Sequence, residues 1–293
     1  TEIVDNYVKI FLKFQRPFSL IDSLAYSDWN SAELVIQILE AALKLYPDAE
    51  SNGLTLPRVG SSDIEKMFQK LYSHEGMPEF EIAKLELAFI RTFDFDFEPK
   101  YLVDQVLQHP SLYMELLTMA YRCDDNQSSS PAQSPHYAEL AYDALERIKR
   151  IPGYDAEAHV MNDSVFKKWF EDVNELSKTS GYTLANNIVL GHILSFSPVG
   201  KDGLWPCECV RKIFESPHSV ELEQSFIVGK ENQRGVHNVT GGRDEDELAE
   251  HYASIANNLQ LLYPKTSSVI RCLSGDYRTE AQRERARELK GFT

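Results

Sequence analysis

Residues 31–46 read Ser-Ala-Glu-Leu-Val-Ile-Gln-Ile-Leu-Glu-Ala-Ala-Leu-Lys-Leu-Tyr. Leu34, Val35, Ile38, Leu39, Ala42 and Leu43 recur three and four positions apart, so they fall on one wide face of an α-helix. Asn30 or Ser31 can cap its start, and Pro47 follows its end. The same pattern continues on both sides. Towards the N-terminus, Ile3, Val4, Tyr7, Val8, Ile10, Phe11 and Phe14 keep helical spacing up to Arg16-Pro17. Towards the C-terminus, Ser62-x-x-Glu65 has the form of a capping box ahead of Ile64, Met67, Phe68 and Leu71. Pro78 opens a helix over 79–92, and Pro110 divides two more at about 99–108 and 111–121.

Beyond this, helices are expected at 136–150, at 165–179 (capped by Asp163 or Ser164, with Gly181 near its end) and at 183–196. Pro206 is read as starting a helix to Phe214, and another spans about 219–232. Asp244 to Glu247 open a long helix that Pro264 stops, and Thr266 or Ser267 caps the last one. The sequence therefore predicts an all-α fold, an irregular helical array of about 12–14 helices with solenoid-like character. Phe93-Asp94-Phe95-Asp96-Phe97 alternates like a strand but has no evident partner, so it is read as a connection packing its three Phe inward.

Residues 124–135 are polar and rich in Ser and Pro. They are read as a flexible loop separating an N-terminal helical sub-domain, 1–123, from a C-terminal one, 136–293.

Composition narrows the function. Of 293 residues, 43% are hydrophobic, enough to bury a core. The formal net charge of -15 opposes general binding of nucleic acid or anionic membrane. No run of about 18 apolar residues occurs, so no membrane helix is expected. The four cysteines, scattered apart from Cys207-x-Cys209, fit a reducing cytoplasm. The start at Thr1-Glu2 reads as a piece of a longer protein or a processed chain.

Between Ile188 and Gly242, polar groups, glycines and a Trp-Pro pair crowd together. Trp205 reads either as a residue packed just before a helix or as a partly exposed anchor for a partner. Cys207-x-Cys209 lacks the paired spacing of structural zinc, and at a helix start its thiols are expected to point apart. Gly229 to Gly235 is not a phosphate loop and reads as a helix end; alternatively Glu231, Asn232, Arg234 and His237 line a small polar pocket. Gly241-Gly242 precede carboxylates that already occupy the helix start, which favours an intramolecular cap. No serine-nucleophile, zinc-protease or dinucleotide motif is present, and no metal or cofactor is expected.

The segments DGLWPCECVR (202–211), GKENQRGV (229–236), Gly241-Gly242 and DELAEHYASIANNLQLLYPKT (246–266) together resemble the C-terminal helical region of large multidomain bacterial proteins of unassigned function. Those proteins are of hypothetical or ATP-binding type, some with suspected roles in phage defence. FEIAKLELAFI (80–90) and HPSLYMELLTMAYR (109–122) are similar to the upstream part of the same region. The resemblance implies a helical region of a larger bacterial protein and carries over no catalytic residue. The expected function is a non-catalytic sensor, scaffold or regulatory module that binds a protein partner. Trp205, Arg211, Glu231, Asn232, Arg234 and His237 are the candidate binding residues. The alternative is an enzyme or small-ligand domain with a polar pocket at the 200–242 loops.

Overall fold

A computed structural model describes residues 2–51, 59–124, 135–235 and 240–289. The fold is all-α, with fourteen α-helices among the described residues. Its β-structure there is one two-residue hairpin, β1 (Tyr154–Asp155) against β2 (Val160–Met161), which the sequence reading does not anticipate. No helix among these residues is long and apolar enough to cross a membrane. The chain divides into two compact units, Thr1–Ala120 with Ser130–Arg147, and Tyr121–Ser129 with Ile148–Thr293. The helix after the Ser/Pro-rich stretch thus belongs with the first unit. Most of that stretch, 125–134, lies outside the described residues.

The first unit contains α1 (Glu2–Lys13), α2 (Pro17–Leu24), α3 (Ala32–Ser51), α4 (Ser61–Tyr72), α5 (Glu79–Ala88), α6 (Lys100–Gln108), α7 (Pro110–Ala120) and α8 (Pro135–Glu146). Leu34, Val35, Ile38, Leu39 and Ala42 are buried, as the periodicity requires. Phe68 meets Phe89 and Phe93 edge-on, at ring-centroid distances of 5.9 and 5.2 Å. The connection at 93–97 turns Phe93 inward but leaves Phe95 70% exposed. Arg147 explains this course: its guanidinium donates to the carbonyls of Phe93, Asp94 and Phe97, fixing a backbone that has no strand partner.

The second unit contains α9 (Asp163–Ser180), α10 (Thr183–Ser195), α11 (Glu208–Glu215), α12 (Val220–Asn232), α13 (Arg243–Leu259) and α14 (Pro264–Leu289). Consecutive helices pack as neighbours in the pairs α5–α6, α7–α8, α9–α10 and α13–α14. The irregularity is clearest where α10 packs on α12, past α11. Two glycines allow that crossing. A Cβ on Gly191 would lie 2.5 Å from the Leu222 carbonyl oxygen, and one on Gly229 would lie 2.6 Å from Ser195 Oγ. Gly229 therefore sits inside α12 as a contact point rather than ending the helix.

Three helices receive their N-terminal caps from side chains of other helices. Glu86 of α5 accepts from Tyr101 N (3.3 Å) and Leu102 N (2.5 Å) in the first turn of α6. Glu215 of α11 accepts from Thr266 N (2.9 Å) and Thr266 Oγ1 (3.0 Å) in the first turn of α14. Glu284 of α14 accepts from Gly242 N (2.8 Å) at the start of α13. Orphan N–H groups and the positive end of the helix dipole both favour a carboxylate at these places.

These caps revise several expected helix starts. Pro264 begins α14 instead of stopping α13, because a first-turn proline forfeits no helical hydrogen bond. Thr266 and Ser267 then lie inside that first turn. At α4, Gly60 N donates to Asp63 Oδ2 (2.9 Å), while Glu65 is taken by Asp94 N (2.6 Å). Asn162 caps α9 by accepting from Val165 N, and Gly181 closes it in left-handed conformation.

Candidate functional site

The 197–211 segment folds around its own polar groups. Trp205 Nε1 donates to the Ser197 carbonyl (3.0 Å), which removes the indole's one polar atom from solvent. The ring stacks on Phe226 at 5.1 Å and meets Tyr252 edge-on at 5.9 Å. Lys230 Nζ lies 4.8 Å above the same ring, and burial pushes its amine below the usual lysine range. Trp205 is 7% exposed, so the expectation of a partly exposed anchor gives way to a packed core residue. The Trp205–Pro206 peptide is cis, and α11 starts two residues later than Pro206.

Arg211 is 0% exposed. Its Nη1 and Nη2 donate to Asp202 Oδ2 (2.6 Å) and Oδ1 (2.9 Å), as a two-pronged fork. Nε donates to the Pro206 carbonyl (2.6 Å) and Nη2 to that of Leu204 (2.5 Å). The hydrogen bonds from Arg211 hold the Asp202 carboxyl below its ordinary range. With its donors spent on the loop, Arg211 is a tie for residues 202–206, not a group offered to a partner.

The second cluster is partly brought together. Glu231 and Arg234 line a groove of about 400 Å³ with Gly235, Asp276, Tyr277, Thr279, Glu280 and Arg283. Arg234 is ion-paired with the buried Glu245. Burial, then the nearby Asp276 and Glu280, raise the Glu231 carboxyl. Asn232 is exposed and not part of that lining, and His237 lies outside the described residues.

A larger cleft, about 800 Å³, lies against α9, α10, α11 and the 216–219 turn. Phe166, Phe170, Ile213 and Leu222 give it an apolar floor, and Lys167, Lys178, Lys212, Glu171 and Glu175 contribute charges of both signs. Lys167 pairs with Glu171 (3.8 Å). Lys178 and Lys212 are exposed and make no ion pair among the described residues. His218 faces acceptors at both ring nitrogens, Ser216 O (2.7 Å) and Glu223 Oε1 (2.5 Å). Both ring nitrogens are thus engaged within the protein.

No family model, curated protein or solved structure matches this chain.

Sequence reasoning missed the cleft. The available signal was Phe166 and Phe170, one turn apart on α9 and stacked at 6.0 Å, beside lysines on the same helix. The expected divergence of the two cysteines is also corrected: Cys207 Sγ and Cys209 Sγ lie 3.2 Å apart. Cys207 is the N-cap of α11, with extended backbone (φ -62, ψ 162), so the geometry that separates residues two apart within a helix does not apply. Among the described residues, no three His, Cys, Asp or Glu side chains gather as a metal site.

Proposed function

We propose that this chain is a non-catalytic recognition module of a larger bacterial protein, and that the cleft of the second unit receives a segment of a protein partner. The observation that carries this reading is the open, apolar-floored cleft with Lys178 and Lys212 unpaired at its edge. An apolar side chain seated over Phe170, Ile213 and Leu222 removes hydrocarbon surface from water, and a neighbouring carboxylate meets the lysines. The partner segment is therefore an apolar anchor flanked by an acidic residue. The scattered cysteines support a cytoplasmic setting, and the resemblance to multidomain bacterial proteins supports a partner of phage origin.

Peptide display against the full chain tests this. Enriched peptides should share an apolar residue next to Asp or Glu. They should bind the Lys178→Glu, Lys212→Glu double variant at least about tenfold more weakly, a loss near 1.4 kcal/mol. Peptides that bind both proteins equally would remove the cleft from the interface. The second reading, small-ligand binding at the Glu231–Arg234 groove, rests on that pair sharing one lining with a raised carboxyl. It predicts a ligand-induced thermal shift that Glu231→Gln abolishes.

A further inference from the structure

The function proposed above makes no use of Cys207 and Cys209, whose sulfurs sit in contact at the start of α11. Their surroundings differ from those of inert core cysteines. Ser197 Oγ lies 3.2 Å from Cys207 Sγ as a donor. Cys209 is positioned to donate its own S–H to Cys207. Cys207 thus has two donors, the Ser197 hydroxyl and the Cys209 thiol, and the positive end of a helix beside it, an arrangement that favours thiolate. Both thiols are buried, and the cleft of about 800 Å³ reaches them at Cys209, so a small molecule arriving there stands one sulfur away from Cys207. Closing a disulfide brings the sulfurs from 3.2 Å to about 2.05 Å. The extended backbone at Cys207 leaves its side chain outside the helix, where it can make that movement.

We propose that Cys207 and Cys209 form a redox-active dithiol, which a hydroperoxide entering by the cleft converts to an intramolecular disulfide. The Cys207 thiolate sulfur attacks one peroxide oxygen. The O–O bond breaks, Cys207 becomes the sulfenic acid, and the departing hydroxide takes a proton to leave as water. The Cys209 thiol then loses its proton as its sulfur attacks the Cys207 sulfur. The S–S bond forms, the S–O bond breaks, and the hydroxyl leaves with that proton as a second water. Two thiols and one hydrogen peroxide give one disulfide and two waters, with two electrons passing from the sulfurs to the peroxide. The hydrogen bond from Cys209 is the first cause lowering the Cys207 thiol, to about 7, while the same contact raises Cys209.

The test uses the full chain and hydrogen peroxide. After a timed exposure, catalase removes the peroxide, and the protein is alkylated in denaturant, digested and analysed by mass spectrometry. The expected product is a 207–209 peptide with no alkyl group, lighter by two hydrogens, and restored to two alkylated cysteines by dithiothreitol. Its rate of formation should rise across pH 6 to 8 as Cys207 ionises, with a midpoint at about 7. Ser197→Ala should slow it several-fold, and Cys207→Ser should abolish it. If both residues stay fully alkylatable while the exposed Cys272 is oxidised, the proposal fails. Sulfinic acid at either residue without the disulfide would overturn it equally. These readouts are independent of peptide binding, so failure here leaves the recognition reading untouched.

Discussion

Glu86 in the first unit and Arg211 in the second are both wholly buried ionisable side chains, yet their surroundings obey different logic. Arg211 meets a carboxylate and two carbonyls. Among the described residues Glu86 meets no cation, only Tyr72 OH (2.5 Å) and two backbone N–H groups. A guanidinium cannot shed its proton inside a protein, so burying one demands matched acceptors. A carboxyl can be neutralised. Glu86 is accordingly pushed up to about 7 by burial, even though its three donors pull the other way. The difference makes one anchor respond to pH and the other indifferent to it.

The comparison can be broken most forcefully at Arg211. Arg211→Ala leaves Asp202 and two loop carbonyls without their donors, and should destabilise the second unit by about 3–5 kcal/mol. Urea unfolding with hydrogen exchange read at α11 should show a loss that stays constant between neutral and mildly acidic pH. A loss that grew with pH would contradict the account.

The next effect belongs to Glu86. The folded state holds a proton on Glu86 that the unfolded chain, with an ordinary value of 4.5, has already released. Stability should therefore fall as pH rises from 4.5 to about 7, by about 3 kcal/mol from this group, and level off above. Glu86→Gln, which keeps the neutral shape, should flatten that part of the profile of urea midpoint against pH. Parallel profiles for both proteins would show that Glu86 is not the responsive group. The smallest effect sharpens the contrast. Glu215 also caps a distant helix but is half-buried, so Glu215→Gln should cost only about 1 kcal/mol. The loss should appear as faster exchange in the first turn of α14.

What the sequence revealed follows from how local each signal was. The stripes at Leu34–Ala42 and Ile64–Leu71 repeat within a few residues, and the helices carrying them were legible. The caps were not. Leu102 is served from 16 residues away, Gly242 from 42 and Thr266 from 51, so Thr266 and Ser267 could only be read as local caps. The polar crowd at 202–211 was visible, but nothing in its order revealed that Asp202 and Arg211 spend their groups on each other. The cleft escaped notice because its floor is shared among α9, α11 and α12, none of which shows it alone.

The caps on α13 and α14 also bear on the order in which the second unit comes together. A helix whose first N–H groups are served by its own N-cap can form its opening turn early, from local contacts. Asp244 N at the start of α13 has a local acceptor, Thr240 Oγ1 (3.3 Å), but Gly242 N and the opening of α14 are satisfied by Glu284 and Glu215 only after 42 and 51 residues of chain have closed, and that closure entropy is lost before the hydrogen bonds form. High contact order slows folding. The starts of α13 and α14 are thus expected to be among the last parts of the unit to acquire protection during refolding. The Gly181 end of α9, closed within its own sequence, should acquire it among the first.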